Sequence, residues 1–563
     1  MGYIINTKPV LPSGADSQSA PKVDEQSKQP AITITSSAEA SQTNSTNQQF
    51  GMRDVPESEK HKTMTQEEMQ SKLAKGELMY GPVPQVPILD AIEGIKFDYN
   101  DGLRVFIPDV PAGQPKKKYH VQILEHTMGV VVHNGLLESG NYITTIQKFY
   151  TEFDLYIVAP ENTDKDNAYF EQIATNQFPT ITEEADKIIL KENLKQIYSY
   201  ARIPDVTKDV VENTFFTNHP DIEGGLKLQY HNAIQGICDY TNETYKFYHR
   251  FDPKGKELMV QLPVGTIGDS VGWFAYIERF QKKTGGKIIC VMNPVISVLF
   301  KKQYPEITFI EPKNTLAYRP YACYKIGLFF KGNTTDQPYD FRYIGNHRTA
   351  SKILDTNDDD IAPRVDLSAP RQIQEPYVCI AVQASAFCKL WSNPTGWQDV
   401  IKHLKSIGYR ILCIDKETTT GQGIVINRIP WGVEDFTGNR PLQERINLLK
   451  DCDFFIGLSS GVSWLAWCAQ CPVVMISGFT NPFNEFYTPY RVINTLFCHG
   501  CWNDERCDFD HFDYMWCPRH KGTDKAYECE RVISAKHVLN VIEKIPAYQA
   551  QKKRFEEKEK QNG

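Results

Sequence analysis

From residue 257 to residue 476 the chain repeats one unit: a short apolar run, a turn of small residues, an amphipathic segment and another apolar run. Strands are expected over 258–262, 287–291 and 307–310, with helices over 271–283 and 294–304 between them. The pattern restarts with an apolar run at 377–382. It continues through a helix over 397–407, a strand over 410–414, a helix over 441–450, a strand over 454–457, a helix over 462–469 and a strand over 472–476. Strands that read as continuous apolar runs are buried on both faces, and their alternation with helices closes into parallel sheets. Two such units in series leave a cleft between them, and ligands of such folds bind at the carboxyl ends of the strands.

The same stretch excludes a membrane span. Residues 454–476 read FFIGLSSGVSWLAWCAQCPVVMI, long enough to cross a bilayer. The run is interrupted by Ser459-Ser460-Gly461, by Gln470 and by Pro472, so it is expected as strand, turn, helix and strand. The net charge of −7 is spread without large blocks, which leaves no footprint for nucleic acid. No signal peptide is read at the start, and all fourteen cysteines lie from Cys238 onward, several in apolar runs. A cytoplasmic location is expected.

Composition divides the remainder. Residues 1–86 are rich in Ser, Thr, Gln, Asn and Pro and are expected to be a disordered polar tail. Residues 87–250 read as a β-rich N-terminal domain, with alternating runs at 97–108 and 117–134 and an inserted segment that is helical around 183–200. The two α/β units occupy 251–370 and 371–497. A cysteine-rich finger with a helix follows over 498–546, then a charged tail over 547–563.

Candidate chemistry sits at the ends of the expected strands. The loop Pro263-Val264-Gly265-Thr266-Ile267-Gly268-Asp269-Ser270 joins a strand to a helix. Asp269 there can accept a proton or cap the helix. No Gly-Lys-Ser/Thr follows, so it is not a P-loop. After the first strand of the second unit come Gln383, Ser385 and Lys389, the last placed where a phosphate could sit. The turn Ser459-Ser460-Gly461-Val462-Ser463 suits close approach by phosphate or sugar. Its G-x-S-x-G frame also matches a hydrolase elbow, but no histidine is evidently supplied for a triad. A fourth turn, Gly478-Phe479-Thr480, closes the last strand.

Downstream the chain reads CHGCWNDERCDFDHFDYMWCPRHKGTDKAYEC. Cys498, Cys501, Cys507, Cys517 and Cys529 fall here together with His499, His511 and His520. The two-residue gap between Cys498 and Cys501 lets both thiolates turn onto one ion. By ligand chemistry alone zinc is the default and iron is compatible.

Taken together, these segments resemble the bacterial autotransporter heptosyltransferases, the TibC-like group. That group is distantly similar to the lipopolysaccharide heptosyltransferases of GT-B fold. The resemblance rests on the Pro263–Ser270 loop, on the segment Lys389–Trp397, and on the run from Phe454 through Thr480 to Glu485-Phe486-Tyr487-Thr488-Pro489-Tyr490-Arg491-Val492. It also rests on the terminal CWND, FDH, WCPRHKGT and final cysteine, and it covers roughly 97–135 and 245–546. It implies two Rossmann-like domains facing a cleft, and transfer of heptose from ADP-heptose to serine hydroxyls of autotransporter adhesins in the cytoplasm. It implies Asp269 as the base and Lys389 as the group offsetting charge on the departing diphosphate. Thr266, Ile267, Gly268, Gln383, Ser385, Ser459, Ser460, Gly461, Ser463, Gly478, Phe479 and Thr480 become the expected nucleotide-sugar contacts. The metal ligands narrow to Cys498, Cys501, Cys517 and Cys529, holding one iron ion per subunit with zinc as the alternative. A homo-oligomer, ring-shaped in some members, is also implied. Two other readings stand beside this one: a GT-B glycosyltransferase using another donor such as a UDP-sugar, and an inactive metal-finger scaffold.

Overall fold

The computed structural model describes residues 33–36, 86–125, 130–145, 153–160, 163–202, 206–262, 266–327, 339–423, 425–510 and 513–562. All lie in one compact unit, Ile32–Gly563. Most of the polar tail expected over 1–86 falls outside these residues, as does the start of the site loop, Pro263-Val264-Gly265. Within the tail, Thr33–Ser36 forms a strand antiparallel to Asn141–Thr144.

The four strands expected in the second α/β unit form, and Glu434–Asp435 and Arg491–Val492 add one strand at each edge. Six parallel strands lie in the order Glu434–Asp435, Arg410–Cys413, Tyr377–Ile380, Phe455–Leu458, Val473–Ile476, Arg491–Val492. The three central strands are buried along their whole length. The apolar stretch 454–476 resolves into strand, turn, helix Gly461–Cys468 and strand. Among the described residues no helix is long and apolar enough to cross a membrane.

The first sheet is larger than its sequence suggests. Lys96–Asn100, Ala322–Lys325, Glu257–Gln261, Lys287–Val291 and Thr308–Ile310 run parallel, and Arg104–Phe106 and Asn141–Thr144 extend the sheet antiparallel beyond Lys96–Asn100. Ala322 pairs with Tyr99 across more than two hundred residues of sequence. The boundary drawn at residue 250 therefore separates no sheet: one core holds Phe97 and Val105 together with Leu258 and Val260.

Two expected helices change form. The helix expected over 271–283 starts earlier, as Ile267–Phe274, and restarts as Ile277–Thr284. At the break Tyr276 N–H bonds to Trp273 O, a tighter turn that points the buried Tyr276 ring at His347. The helix expected over 294–304 is confined to Pro294–Ser297.

The inserted segment is four helices, not one: Thr163–Gln177, Glu184–Ala201, Lys208–Asn218 and Gly224–Thr244. They leave and rejoin adjacent antiparallel strands, Phe153–Pro160 and Tyr245–His249, and enclose a core of their own around Leu194, Phe215 and Ile234. Buried Arg202 ties them to the sheet through His120 Nδ1 at 2.8 Å. The charged tail is helical, Pro546–Asn562. It is anchored by buried Tyr548 and by Gln551, whose amide donates to Ile407 O.

Candidate functional site

Parallel pairing brings three turns of the second sheet to one rim. The strands Tyr377–Ile380, Phe455–Leu458 and Val473–Ile476 are neighbours pointing the same way. The segments after them carry Gln383 to Lys389, Ser459 to Ser463, and Gly478 to Thr480. The first sheet contributes Thr266 to Asp269, at the start of the helix Ile267–Phe274.

Two eight-residue helices meet at this rim by their N-terminal ends. A Cβ on Gly268 would fall 3.0 Å from the Trp464 indole, and a Cβ on Gly461 would fall 2.9 Å from Ile267 Cβ. Only glycine permits this approach, which brings the amide-bearing ends of both helices, partially positive, to one place. Asp269 stands in the first turn of one helix, half-buried. Thr266 occupies the N-cap position, yet its side chain does not cap; its hydroxyl donates to Asp269 Oδ2. Ser460 is the N-cap of the other helix. Its Oγ is buried and has no hydrogen-bond partner among the described residues.

The serines around it have different roles. Ser463 is fully buried and donates to Leu458 O at 2.5 Å. Ser459 donates to Glu485 Oε1 at 2.5 Å. Glu485 pairs in turn with Arg491 at 2.6 Å. Burial opposes ionisation of Glu485, but Arg491 and the Ser459 and Asn484 donors outweigh it and hold the carboxyl below the ordinary range. With its hydroxyl bonded to an ion-paired carboxylate, Ser459 is not set up as a hydrolase nucleophile.

Lys389 is half-buried, with Nζ 5.6 Å from the Phe479 ring centre and 5.8 Å from that of Trp502. Among the described residues it has no ion-pair partner, and the two aromatic faces lie beside the cation. Trp502 comes from the cysteine-rich finger, and its Nε1 donates to Asn346 Oδ1 at 3.1 Å.

Some expected contacts turn out to be engaged by the protein itself. Gln383 Oε1 accepts from Thr420 at 2.5 Å and Asn427 at 2.8 Å, while its Nε2 donates to Thr418 O at 3.2 Å. These bonds hold the hairpin Thr419–Gln422/Val425–Arg428 against the strand end. Ser385 is exposed. The amides of Gly478 and Phe479 both donate to Glu530 Oε1, at 2.7 and 2.9 Å. A Cβ at Gly478 would strike Cys529 O at 2.2 Å. Thr480 is bonded to Ser477 and Arg491. This turn docks the finger, and Phe479 reaches the rim through its ring.

The finger packs on an aromatic cluster of Phe341, Phe479, Trp502 and Trp516, with Cys501 among them. Cys501, Cys517 and Cys529 are buried, while Cys498 and Cys507 are half-buried. Burial pushes the Cys501 and Cys529 thiols up, and Arg519 donates to Cys498 Sγ at 3.7 Å. Among the described residues no group of three or more such side chains is already spaced to hold a metal ion. The donor set still fits a soft metal: Cys498, Cys501 and Cys529 are close enough to act on one another electrostatically.

Sequence reasoning missed Trp464, Glu485, Arg491, Trp502 and Glu530 as site-building residues. Glu485 and Arg491 lay in quoted motifs, but only their pairing across the last strand turns them into a brace.

The chain matches the model of glycosyltransferase family 9 (heptosyltransferase) over residues 339–508 and that of the glycosyltransferase TibC N-terminal domain over 92–160. It is 50% identical over 465 residues to the autotransporter heptosyltransferase Aah of Escherichia coli, covering 83% of this chain and 96% of that one. It is 53% identical over 292 residues to the autotransporter heptosyltransferase TibC of Escherichia coli O78:H11, 52% of this chain and 72% of that one. A crystal structure of TibC, described as dodecameric, iron-containing and in complex with ADP-D-beta-D-heptose, aligns with a TM-score of 0.63 at 38% identity. It covers 83% of this chain and 99% of its own. A relative described as inactive, BimC of Burkholderia thailandensis, is 36% identical over 304 residues, 53% of this chain and 71% of its own.

Proposed function

This chain belongs to the autotransporter heptosyltransferases, and on that premise we propose how its own residues carry out the transfer. Heptose passes from ADP-heptose to a serine hydroxyl of an autotransporter adhesin, in the cytoplasm, by a single displacement. Asp269 removes the proton from the serine hydroxyl as that oxygen attacks the anomeric carbon, and the bond from that carbon to the diphosphate oxygen breaks. Charge then grows on the departing ADP. Lys389 and the N-terminal amides of the helix Gly461–Cys468 stabilise it more in the transition state than before. Ser460 Oγ supplies a hydrogen bond to the same diphosphate. Thr266 fixes the Asp269 carboxylate, and Phe479 and Trp502 fix Lys389.

One observation carries this reading: two helix N-termini in contact through Gly268 and Gly461, one bearing a carboxylate and the other a buried hydroxyl without a hydrogen-bond partner among the described residues. Cys498, Cys501, Cys517 and Cys529 would hold one iron ion, which supplies a cross-link that fixes the finger, and with it Trp502, to the second unit. The dodecameric relative supports a homo-oligomer.

Because one relative is described as inactive, activity is the decisive test. Co-expression with an autotransporter passenger followed by intact-mass analysis should give increments of one heptose per modified serine. No increment would place this chain with the inactive relative, and a hexose increment would point to another donor. Elemental analysis of the purified protein should find one iron per subunit, and Cys498→Ser with Cys501→Ser should lose it.

A further inference from the structure

Away from the rim, near the amino ends of the central strands of the second sheet, three buried cysteines meet. Cys452 lies between the helix Leu442–Leu449 and the strand Phe455–Leu458, and Cys471 lies between the helix Gly461–Cys468 and the strand Val473–Ile476. Their Sγ atoms are 3.3 Å apart. Cys379, on the neighbouring strand Tyr377–Ile380, reaches the same spot, its Sγ 4.0 Å from Leu448 O. Two thiols at this separation need to close by little more than an ångström to reach a disulfide bond length of about 2.05 Å. Both sit in connections between a helix and a strand, so the closing movement falls on loop backbone and not on the sheet.

The chemistry of the trio favours one member as nucleophile. Cys452 also lies 3.2 Å from Leu449 O. Burial opposes its ionisation, but hydrogen bonding with Cys379 and Cys471 outweighs burial and lowers its pKa, while the other two thiols are pushed up. The reactive form of a cysteine is the thiolate, so Cys452 is the sulfur that meets an oxidant first.

We propose that Cys452 and Cys471 form an oxidisable pair that closes to an internal disulfide when the protein meets a hydroperoxide. The Cys452 thiolate attacks the peroxide O–O bond, forming a sulfenic acid and releasing one water once the leaving oxygen is protonated. The Cys471 thiol then attacks that sulfur, the S–O bond breaks, its oxygen leaves as a second water, and the disulfide forms. Two thiols are oxidised by two electrons and one peroxide is reduced. The loop so closed contains the strand Phe455–Leu458, the Ser459-Ser460-Gly461 turn and the helix Gly461–Cys468. Oxidation therefore fastens the segment that carries the hydroxyl-rich turn at its far end, without touching the rim, and raises the temperature at which this unit unfolds.

The test treats the intact protein with hydrogen peroxide, blocks free thiols under denaturing conditions and maps peptides without reductant. The expected result is a peptide pair joined through Cys452 and Cys471 with the loss of two hydrogens. Recovery of both cysteines as blocked thiols, or cross-links confined to the finger cysteines, overturns the proposal. In the Cys471→Ser variant the same treatment should leave Cys452 as a sulfenic acid captured by a dimedone probe. Capture of Cys379 with Cys452 untouched would overturn the assignment of the nucleophile. The mapping on the unmodified chain decides the matter even if that variant does not fold.

Discussion

Two strand-to-helix turns meet at the centre of this molecule, built alike and carrying opposite chemistry. Thr266 to Asp269 and Ser459 to Ser463 each end a buried parallel strand, each opens an eight-residue helix, and each needs glycine where the helices touch. The first presents a carboxylate held by a neighbouring hydroxyl. The second presents hydroxyls: Ser459 braced by Glu485 and Arg491, and Ser460 without a partner among the described residues. A positive helix end attracts anions in both cases. One turn supplies its own anion in the side chain, while the other keeps its end open for an anion from outside. The proposed transfer assigns the base to the first and the diphosphate to the second.

The largest effect expected from breaking this asymmetry is at Asp269. Asp269→Asn keeps the shape and removes the base, so transfer should fall by about 10²–10⁴-fold while donor affinity, measured calorimetrically, stays within a few-fold. Unchanged transfer would remove Asp269 from the mechanism.

Lys389→Met comes next. It keeps the aliphatic contact with Phe479 and Trp502 and removes the charge, so transfer should drop by roughly 10²-fold, with weaker ADP binding. A loss confined to stability, with turnover intact, would make Lys389 a packing residue.

Gly268→Ala should act on the contact between the turns without touching either charge. The new methyl meets the Trp464 indole at 3.0 Å, which requires a shift of a few tenths of an ångström. A smaller loss in turnover, on the order of tenfold, is expected, because misplacement of reacting groups is costly. Wild-type turnover in this variant would show that the two helices do not need their close approach.

The smallest effect on turnover concerns the sheet behind the second turn, where it is stability that changes. Asp415 is buried and accepts the Val382 N–H at 2.6 Å and the Gln383 N–H at 3.3 Å. Burial outweighs those donors and pushes its pKa up to about 6. A carboxyl raised in the fold is most favourable when protonated, so its contribution is complete below its unfolded value of 3.8 and is lost as pH rises through about 6. A shift of this size corresponds to about 3 kcal/mol. Relative to the wild type, Asp415→Asn should therefore gain stability as pH rises from 4 to 7, read as a widening difference in Tm. A constant difference across that range would show that Asp415 does not titrate in the fold there.

What the sequence disclosed follows from what each residue answers to. Four of the second unit's strands match their apolar runs to within two residues, because a strand buried on both faces needs little beyond its own composition, whereas the two short edge strands went unread. The first sheet's extension was hidden, since the pairing of Ala322 with Tyr99 depends on residues far apart in the chain. Three of the four inserted helices went unread although Val211 and Phe215, and Tyr230, Ala233, Ile234 and Ile237, recur at helical spacing, because the polar composition around them hid that period. At the rim, residue type alone marked Asp269, Lys389 and the serine turn as candidates. It could not mark Gln383 or the amides of Gly478 and Phe479 as engaged, because their partners, Thr420, Asn427 and Glu530, come from other segments. The finger shows the reverse. Its cysteine spacing announces a metal site, yet its clearest contribution to the rim is Trp502 beneath Lys389, which no spacing rule anticipates.

The measurement that bears most directly on this division of labour is the stereochemistry of the product. With a single carboxylate base on one turn and the diphosphate held by the other, the serine oxygen must attack from the face opposite the departing ADP. NMR of the modified passenger made from the beta-configured donor should show the alpha linkage. A beta linkage would mean two displacements or a front-face reaction, and would contradict the role assigned to Asp269.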